Sequence, residues 1–154
     1  MLAGLLARLW EDIAGDPMAE GEVQASIDAG MNLIPEDYHE PWFVEQASAE
    51  DASIAVVYAL TCRQSGDSRD AMWSAEHVYN ALDHFMINRE NFDLNAPEAE
   101  SRLQAHPLIQ AELARQRRDV DELLGAVDDA LQQTAVKFRE RAKAEAKIFF
   151  GVFS

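Results

Sequence analysis

The segment "SAEDASIAVVYALTC", residues 48–62, carries the strongest indication of the fold. Its start matches a capping box, with Ser48 as the N-cap and an acidic residue, Asp51, three positions later. The residues that follow are apolar on nearly every side of a helix, as expected for a helix buried on most of its faces. Residues 54–58 alone would also suit a strand, but the cap, the alanines and the length favour a helix. We therefore expect an all-α fold around this helix.

Helix start and stop signals continue on both sides of this segment. Asp16 and Pro17 suit the start of an earlier helix, Asp67 or Ser68 the start of the next one, and His106-Pro107 the start of the longest one. We predict one domain, a bundle of about five to six helices with one long C-terminal helix. Its expected parts are N-terminal helices at 1–30, a connector at 31–46, core helices at 47–89, the long helix at about 107–147 and an apolar tail at 148–154.

The long C-terminal segment contains an apolar stripe with alternating spacings of four and three. Its members are Val120, Leu124, Val127, Leu131, Thr134 and Phe138. This spacing is typical of helical bundles and coiled coils. We expect the stripe to pack within its own domain, with self-association as the alternative.

Charge excludes some functions. The 154 residues have a formal net charge of −15, and the excess lies in residues 1–106, which contain five arginines and no lysine. Such a surface repels phosphate backbones, so we expect no direct nucleic-acid binding. The negative charge would suit binding to a basic partner, or a role as an acidic decoy that binds a basic protein. The single cysteine, Cys62, excludes an intrachain disulfide and reads as a buried thiol.

The N-terminal segment "MLAGLLARLWEDIAGD" resembles a signal peptide only superficially. It has no basic n-region, and Arg8, Glu11 and Asp12 interrupt its apolar residues. Its leucines have helical spacing, so we predict an amphipathic helix. No apolar run approaches the roughly 20 residues of a membrane span. We expect a soluble, cytoplasmic protein that does not bind membranes.

Two histidines lie in "AEHVYNALDHF", residues 75–85. The helical period predicts a core-facing stripe, which comprises Ala71, Ala75, Val78, Leu82 and Phe85. His77 and His84 fall outside that arc, and the residue between them, where a bridging ligand would stand, is Ala81. We therefore expect solvated or helix-packing histidines, with no metal, cofactor or catalytic site.

The sequence also permits an enzymatic alternative. His39 lies in "DYHEPW" among carboxylates and aromatic residues, where a cleft could form. A small metal-assisted enzyme using His39, His77 or His84 would require two histidines and a carboxylate to converge in the fold. Phosphate-binding loops and the Gly-x-Ser-x-Gly motif are absent from the sequence.

Four segments together resemble a known family. They are "LLARLWEDI", "NLIPEDYHEPW", "EDASIAVVYALTCRQSGD" and "ESRLQAHPLIQAELARQRRDVDELL". Their order and helix punctuation are similar to the YjaG-like bacterial family, domain of unknown function 416. The resemblance implies an all-α fold and no assigned activity. Members of that family begin with additional helices that this chain lacks, so we expect an exposed face on "MLAGLLARLW".

The leading functional hypothesis is a non-enzymatic protein-interaction or regulatory module. We expect it to act as a homodimer or with another protein partner. We expect the apolar stripe and the aromatic tail "KIFFGVFS" to form the interaction surface. The predicted interface residues are Trp10, Phe138, Phe149, Phe150 and Phe153.

Overall fold

The structure, a computed structural model, describes residues 1–34, 44–126 and 130–152, with only the backbone for 44–45 and 146–152. Every regular element in those ranges is a helix, which confirms the all-α prediction. The helices are α1 Leu2–Ile13, α2 Glu20–Met31, α3 Val44–Ser65, α4 Ser68–Glu90, α5 Ala99–Gln104, α6 Pro107–Gly125 and α7 Leu131–Val152. His39, within the connector, lies outside the described residues.

The buried helix α3 is the centre of the fold. Its Val56 and Leu60 pack with Leu9 of α1 and Val23 of α2 in the main hydrophobic cluster. Leu60 is fully buried. The apolar sequence of α3 is therefore explained by neighbours on several sides, because α1, α2 and α4 all contact it.

Helices α3 and α4 form an antiparallel hairpin. Gly66 makes the turn with φ of 69°, a conformation that glycine adopts without steric cost, and its N–H donates to the carbonyl of Cys62. Asp67 then caps α4 by accepting a hydrogen bond from the N–H of Arg69 at 2.9 Å. The predicted start of α4 is confirmed.

Several predicted helix boundaries are wrong. Helix α3 begins at Val44, so Ser48 is an interior residue and no capping box forms. Helix α2 begins at Glu20, well after Asp16 and Pro17. In both cases the helix begins a few residues away from the sequence that favours a helix cap.

The prediction of a single long C-terminal helix is also wrong, because the chain forms two helices there. Ala126 has an extended backbone with ψ of 137°, directly after Gly125. Ion pairs then hold α7 against α6: Arg141 pairs with Asp119 and Glu122, the latter at 2.7 Å. The predicted stripe is thus divided, with Leu124 81% exposed on α6 and Phe138 buried on α7.

Candidate functional site

Asp51 joins two histidines of another helix. It lies on α3 and is only 8% exposed. One carboxylate oxygen accepts a hydrogen bond from Nδ1 of His77 at 2.7 Å, and the other accepts from Nδ1 of His84 at 2.8 Å. We call Asp51, His77 and His84 the histidine cluster. It contains the two histidines and one carboxylate whose convergence the enzymatic hypothesis requires.

The spacing along α4 explains how one carboxylate reaches both rings. His77 and His84 are two turns apart, roughly 10 Å along the axis, and Ala81 lies between them on the same face. The small Ala81 side chain leaves room for α3 to approach, and its carbonyl accepts a hydrogen bond from Ser48 at 2.7 Å. The group that joins the two histidines is therefore supplied by the opposite helix, as a carboxylate that accepts hydrogen bonds.

The face of α4 that packs against α3 is polar and small-residue rich. Ser74 donates to the carbonyl of Ala55 at 2.8 Å, on the same face as the histidines. The predicted core stripe lies on another side, since the carbonyl of Ala75 accepts a hydrogen bond from Gln116 of α6. Of that stripe, Ala71 is exposed and the other members are half-buried. The predicted core-facing stripe is therefore only partly buried, and α4 also packs through the face that carries the histidines, as the expectation of helix-packing histidines allowed. Hydrophobic period does not detect a face built from serine, alanine and hydrogen bonds.

The hydrogen bonds determine the chemistry of the rings. An ionised carboxylate only accepts, so each Nδ1 must carry a proton in these contacts. In the neutral ring, Nε2 is then the basic nitrogen. Tyr58 stacks on the His77 ring at a centroid distance of 5.6 Å, which further restricts its orientation.

Asp83, which adjoins His84 in the sequence of α4, is a half-buried carboxyl group with an altered pKa. Burial raises its pKa, the negative charge of Glu100 raises it further, and the positive charge available at His84 opposes both effects. Asp83 and His84 are sequence neighbours about 100° apart around α4, so the two side chains do not share a face of the helix.

A metal site is not formed by these residues. Within the described ranges, no group of three or more His, Cys, Asp or Glu side chains has a geometry that could hold a metal ion. An open groove of about 470 Å³ lies elsewhere, on α6, and the histidine cluster does not line it. The cluster can thus orient a base, but it has no described ligand set for a metal.

Sequence reasoning missed Asp51 as a member of this cluster. It assigned Asp51 to a helix cap, whose partners would have been local. The available signal was an acidic residue on the helix that the sequence itself predicts to be buried, because a buried carboxylate requires a partner from another element.

A second candidate site is an exposed apolar surface on α6. The large apolar residues Leu113, Val120, Leu123 and Leu124 are 40%, 54%, 45% and 81% exposed. We call these four residues the α6 stripe. Isolated exposed apolar residues are ordinary, but four on adjoining turns of one helix make this face a candidate binding surface.

The interface residues predicted from the sequence have different positions. Trp10 is half-buried on α1. Phe138 is 9% exposed, with the Arg141 guanidinium 4.7 Å from its ring centroid, so it contributes little to the outer surface. Phe149, Phe150 and Phe153 belong to the part whose side chains the structure does not describe, and their role stays a prediction.

Comparison with known proteins gives no match. No family model, no curated protein and no solved structure matches this chain. The resemblance to the YjaG-like family therefore stays a prediction.

Proposed function

We propose that the protein is a cytoplasmic, non-enzymatic interaction module that binds a protein partner through the α6 stripe. The single observation that carries this proposal is the exposure of four large apolar side chains on α6, up to 81% at Leu124. Helices that present an apolar face commonly bind a second helix through it. No helix in the described ranges is long and apolar enough to cross a membrane.

Site-specific photocrosslinking in the native host tests this proposal. A photoreactive residue at Leu124 should give a discrete protein adduct, which should weaken when Val120 is also changed to Ser. The matched control is Ala111, which is exposed on the other side of the same helix. Equal adduct formation at 111 and 124, or none at 124, contradicts the proposal.

The histidine cluster supports a second candidate function, general acid–base catalysis. Its specific observation is the orientation of both rings by Asp51, with side chains of His77 and His84 that are 20% and 24% exposed. A positioned base typically contributes about 10²- to 10⁴-fold to a rate. An oriented imidazole of this kind would suit hydrolysis of an ester.

Hydrolysis of p-nitrophenyl acetate distinguishes this candidate. His77→Gln and Asp51→Asn should each lower the rate by at least about tenfold if the cluster acts as a base. His106→Gln is the control, because His106 caps α6 and contacts Glu90 instead. Equal rates for the wild type and all three variants exclude catalysis of this reaction by the cluster.

A further inference from the structure

We infer that the partner of the α6 stripe is a second copy of this chain, with the two α6 helices antiparallel about a two-fold axis. This inference rests on the proposed function and names its partner. It is carried by the arrangement of apolar and charged residues on α6, which is complementary to itself in one orientation.

The apolar residues define the contact line. Taking 100° per residue, Leu113, Val120 and Leu124 fall within an arc of about 40°, and Leu123 lies on one flank. Their separations of seven and four residues are those of a coiled-coil seam. Such a seam is buried by another helix of similar length.

The charged residues on the other flank select the partner. Arg117 and Asp121 lie about 40° and 80° from Leu113 around the axis, and both are exposed. Their charged neighbours Arg115, Arg118, Asp119 and Glu122 all form ion pairs within the chain. Among the side chains that the structure describes, no ion pair involves Arg117 or Asp121, which leaves one positive and one negative charge beside the stripe.

Two-fold symmetry brings these charges together. In an antiparallel helix pair each flank faces the same flank of the other helix. A two-fold axis near residue 119 therefore places Arg117 against Asp121 of the partner subunit, and the reverse pair forms by symmetry. A parallel pair would place this flank against Gln116 and Leu123 of the partner subunit, which supply no charge.

The same register fits the shape of the surface. It places Leu124 opposite Ala114 of the partner subunit, and Ala114 lines the groove of about 470 Å³ together with Arg117 and Asp121. It also places Leu113 opposite Gly125 of the partner subunit, where a Cβ built on the glycine meets no atom within 4 Å. The most exposed leucine thus faces a groove, and the other end of the stripe faces open space.

Charge reversal tests the inference by sedimentation equilibrium, up to about 100 µM, where a complex of micromolar Kd is largely formed. Arg117→Asp and Asp121→Arg should each weaken the dimer at least about tenfold, because each places like charges together twice per dimer. The double variant should restore the dimer, since the pairs are re-formed with exchanged signs. Reversals that change nothing, or a double variant weaker than both singles, overturn the inference.

Disulfide crosslinking tests the orientation in a Cys62→Ser background. A mixture of the Ala114→Cys and Leu124→Cys proteins should crosslink under mild oxidation, whereas each alone should not. Crosslinking of Leu124→Cys with itself indicates a parallel pair and overturns the antiparallel arrangement. Positions 114, 117, 121 and 124 are exposed on α6, and the conservative change at half-buried Cys62 lies on α3, so circular dichroism should show an unchanged fold.

The outcomes separate the inference from the proposed function. A strict monomer with a photocrosslinked adduct to a different protein at Leu124 overturns the inference and leaves the proposed function. A dimer that persists in Leu124→Ser but disappears on deletion of residues 148–154 overturns the inference in favour of the aromatic tail. A strict monomer without any adduct at Leu124 contradicts both.

Discussion

Asp51 shows how one buried residue can serve two elements. It holds two imidazoles from positions 26 and 33 residues further along the chain. Each of these contacts satisfies a polar atom in a partly buried environment, where an unsatisfied atom would cost about 1–3 kcal/mol. Asp12 is comparable on α1, since its buried carboxylate accepts hydrogen bonds from the N–H of Met18 and from Arg63.

Replacing Asp51 by Ala should destabilise the fold by about 2–4 kcal/mol, because Nδ1 of both His77 and His84 would lose its acceptor. Urea unfolding monitored by circular dichroism measures the change. Glu76→Ala is the control on α4, where the exposed side chain should contribute less than about 0.5 kcal/mol. An Asp51→Ala protein as stable as the control contradicts the importance of these two hydrogen bonds.

Asp12 should make stability depend on pH. Burial disfavours its ionised form, but hydrogen bonds from Arg63 and Met18 outweigh burial, and the pKa of Asp12 is lowered from 3.8. A lowered folded-state pKa stabilises the fold above the unfolded pKa, and this contribution is lost as the pH falls through the folded value.

The difference in unfolding free energy between the wild type and Asp12→Asn measures this contribution. It should be constant near neutral pH and should decrease below about pH 4. The unfolding free energies follow from urea titrations at each pH. A difference that grows on acidification contradicts the assignment.

At the scale of elements, close approach between helices restricts residue size. Gly30 lies on α2 where it meets α3, and a Cβ built there would be 2.7 Å from Cγ2 of Val57. The α6–α7 junction shows the opposite case, since Gly125 has open space around it. Close packing between helices therefore requires a glycine at position 30, whereas no neighbouring atom requires one at position 125.

Gly30→Ala should therefore destabilise the protein by about 1–3 kcal/mol, because α2 and α3 would have to separate. Gly21→Ala on the same helix is the control, since a Cβ there meets no atom within 4 Å. Alanine at 21 should be neutral or stabilising by up to about 1 kcal/mol. Thermal unfolding ranks the two variants, and a Gly30→Ala protein more stable than Gly21→Ala would contradict the close approach of α2 and α3.

Helix α6 should show different sensitivity at its two ends. Ile109 is fully buried, so Ile109→Ala should cost about 2–5 kcal/mol. Leu124→Ala removes an exposed side chain and should change the free energy of unfolding of the monomer by less than about 0.5 kcal/mol. Urea titrations in dilute solution compare the two variants. A large decrease in the free energy of unfolding for Leu124→Ala would show that the α6 stripe belongs to the core.

At the scale of the whole molecule, acidic and basic residues are unevenly distributed along the chain, and folding brings some of them together as ion pairs. The basic residues concentrate at 107–154. Some of their ion pairs lie within that region, and Arg139 of α7 reaches Glu11 of α1 at 3.9 Å. The net charge of −15 nevertheless remains, and mutual repulsion opposes the compact state.

Added salt should therefore raise the thermal midpoint. Screening of repulsion should exceed the loss of surface ion pairs, which contribute about 0–1 kcal/mol each. Differential scanning calorimetry at low and physiological NaCl measures the effect. A midpoint that falls with salt would show that the ion pairs dominate.

The sequence by itself determined the helical class, the buried character of α3 and several helix ends. Asp67 and His106 cap their helices through N–H groups only two residues away, so a short segment contains all of the interaction. These features depend on neighbours in the chain. They are therefore predictable without knowing the fold.

Only the tertiary structure decided the histidine cluster and the division of the C-terminal segment. Asp51 meets residues more than 25 positions away, and its face of α4 has no hydrophobic period to reveal it. Likewise, helix propensity permits one long helix through residue 125, and ion pairs between α6 and α7 form only once the chain has turned back. The physical reason is that polar contacts between distant residues stabilise an arrangement that local periodicity does not encode.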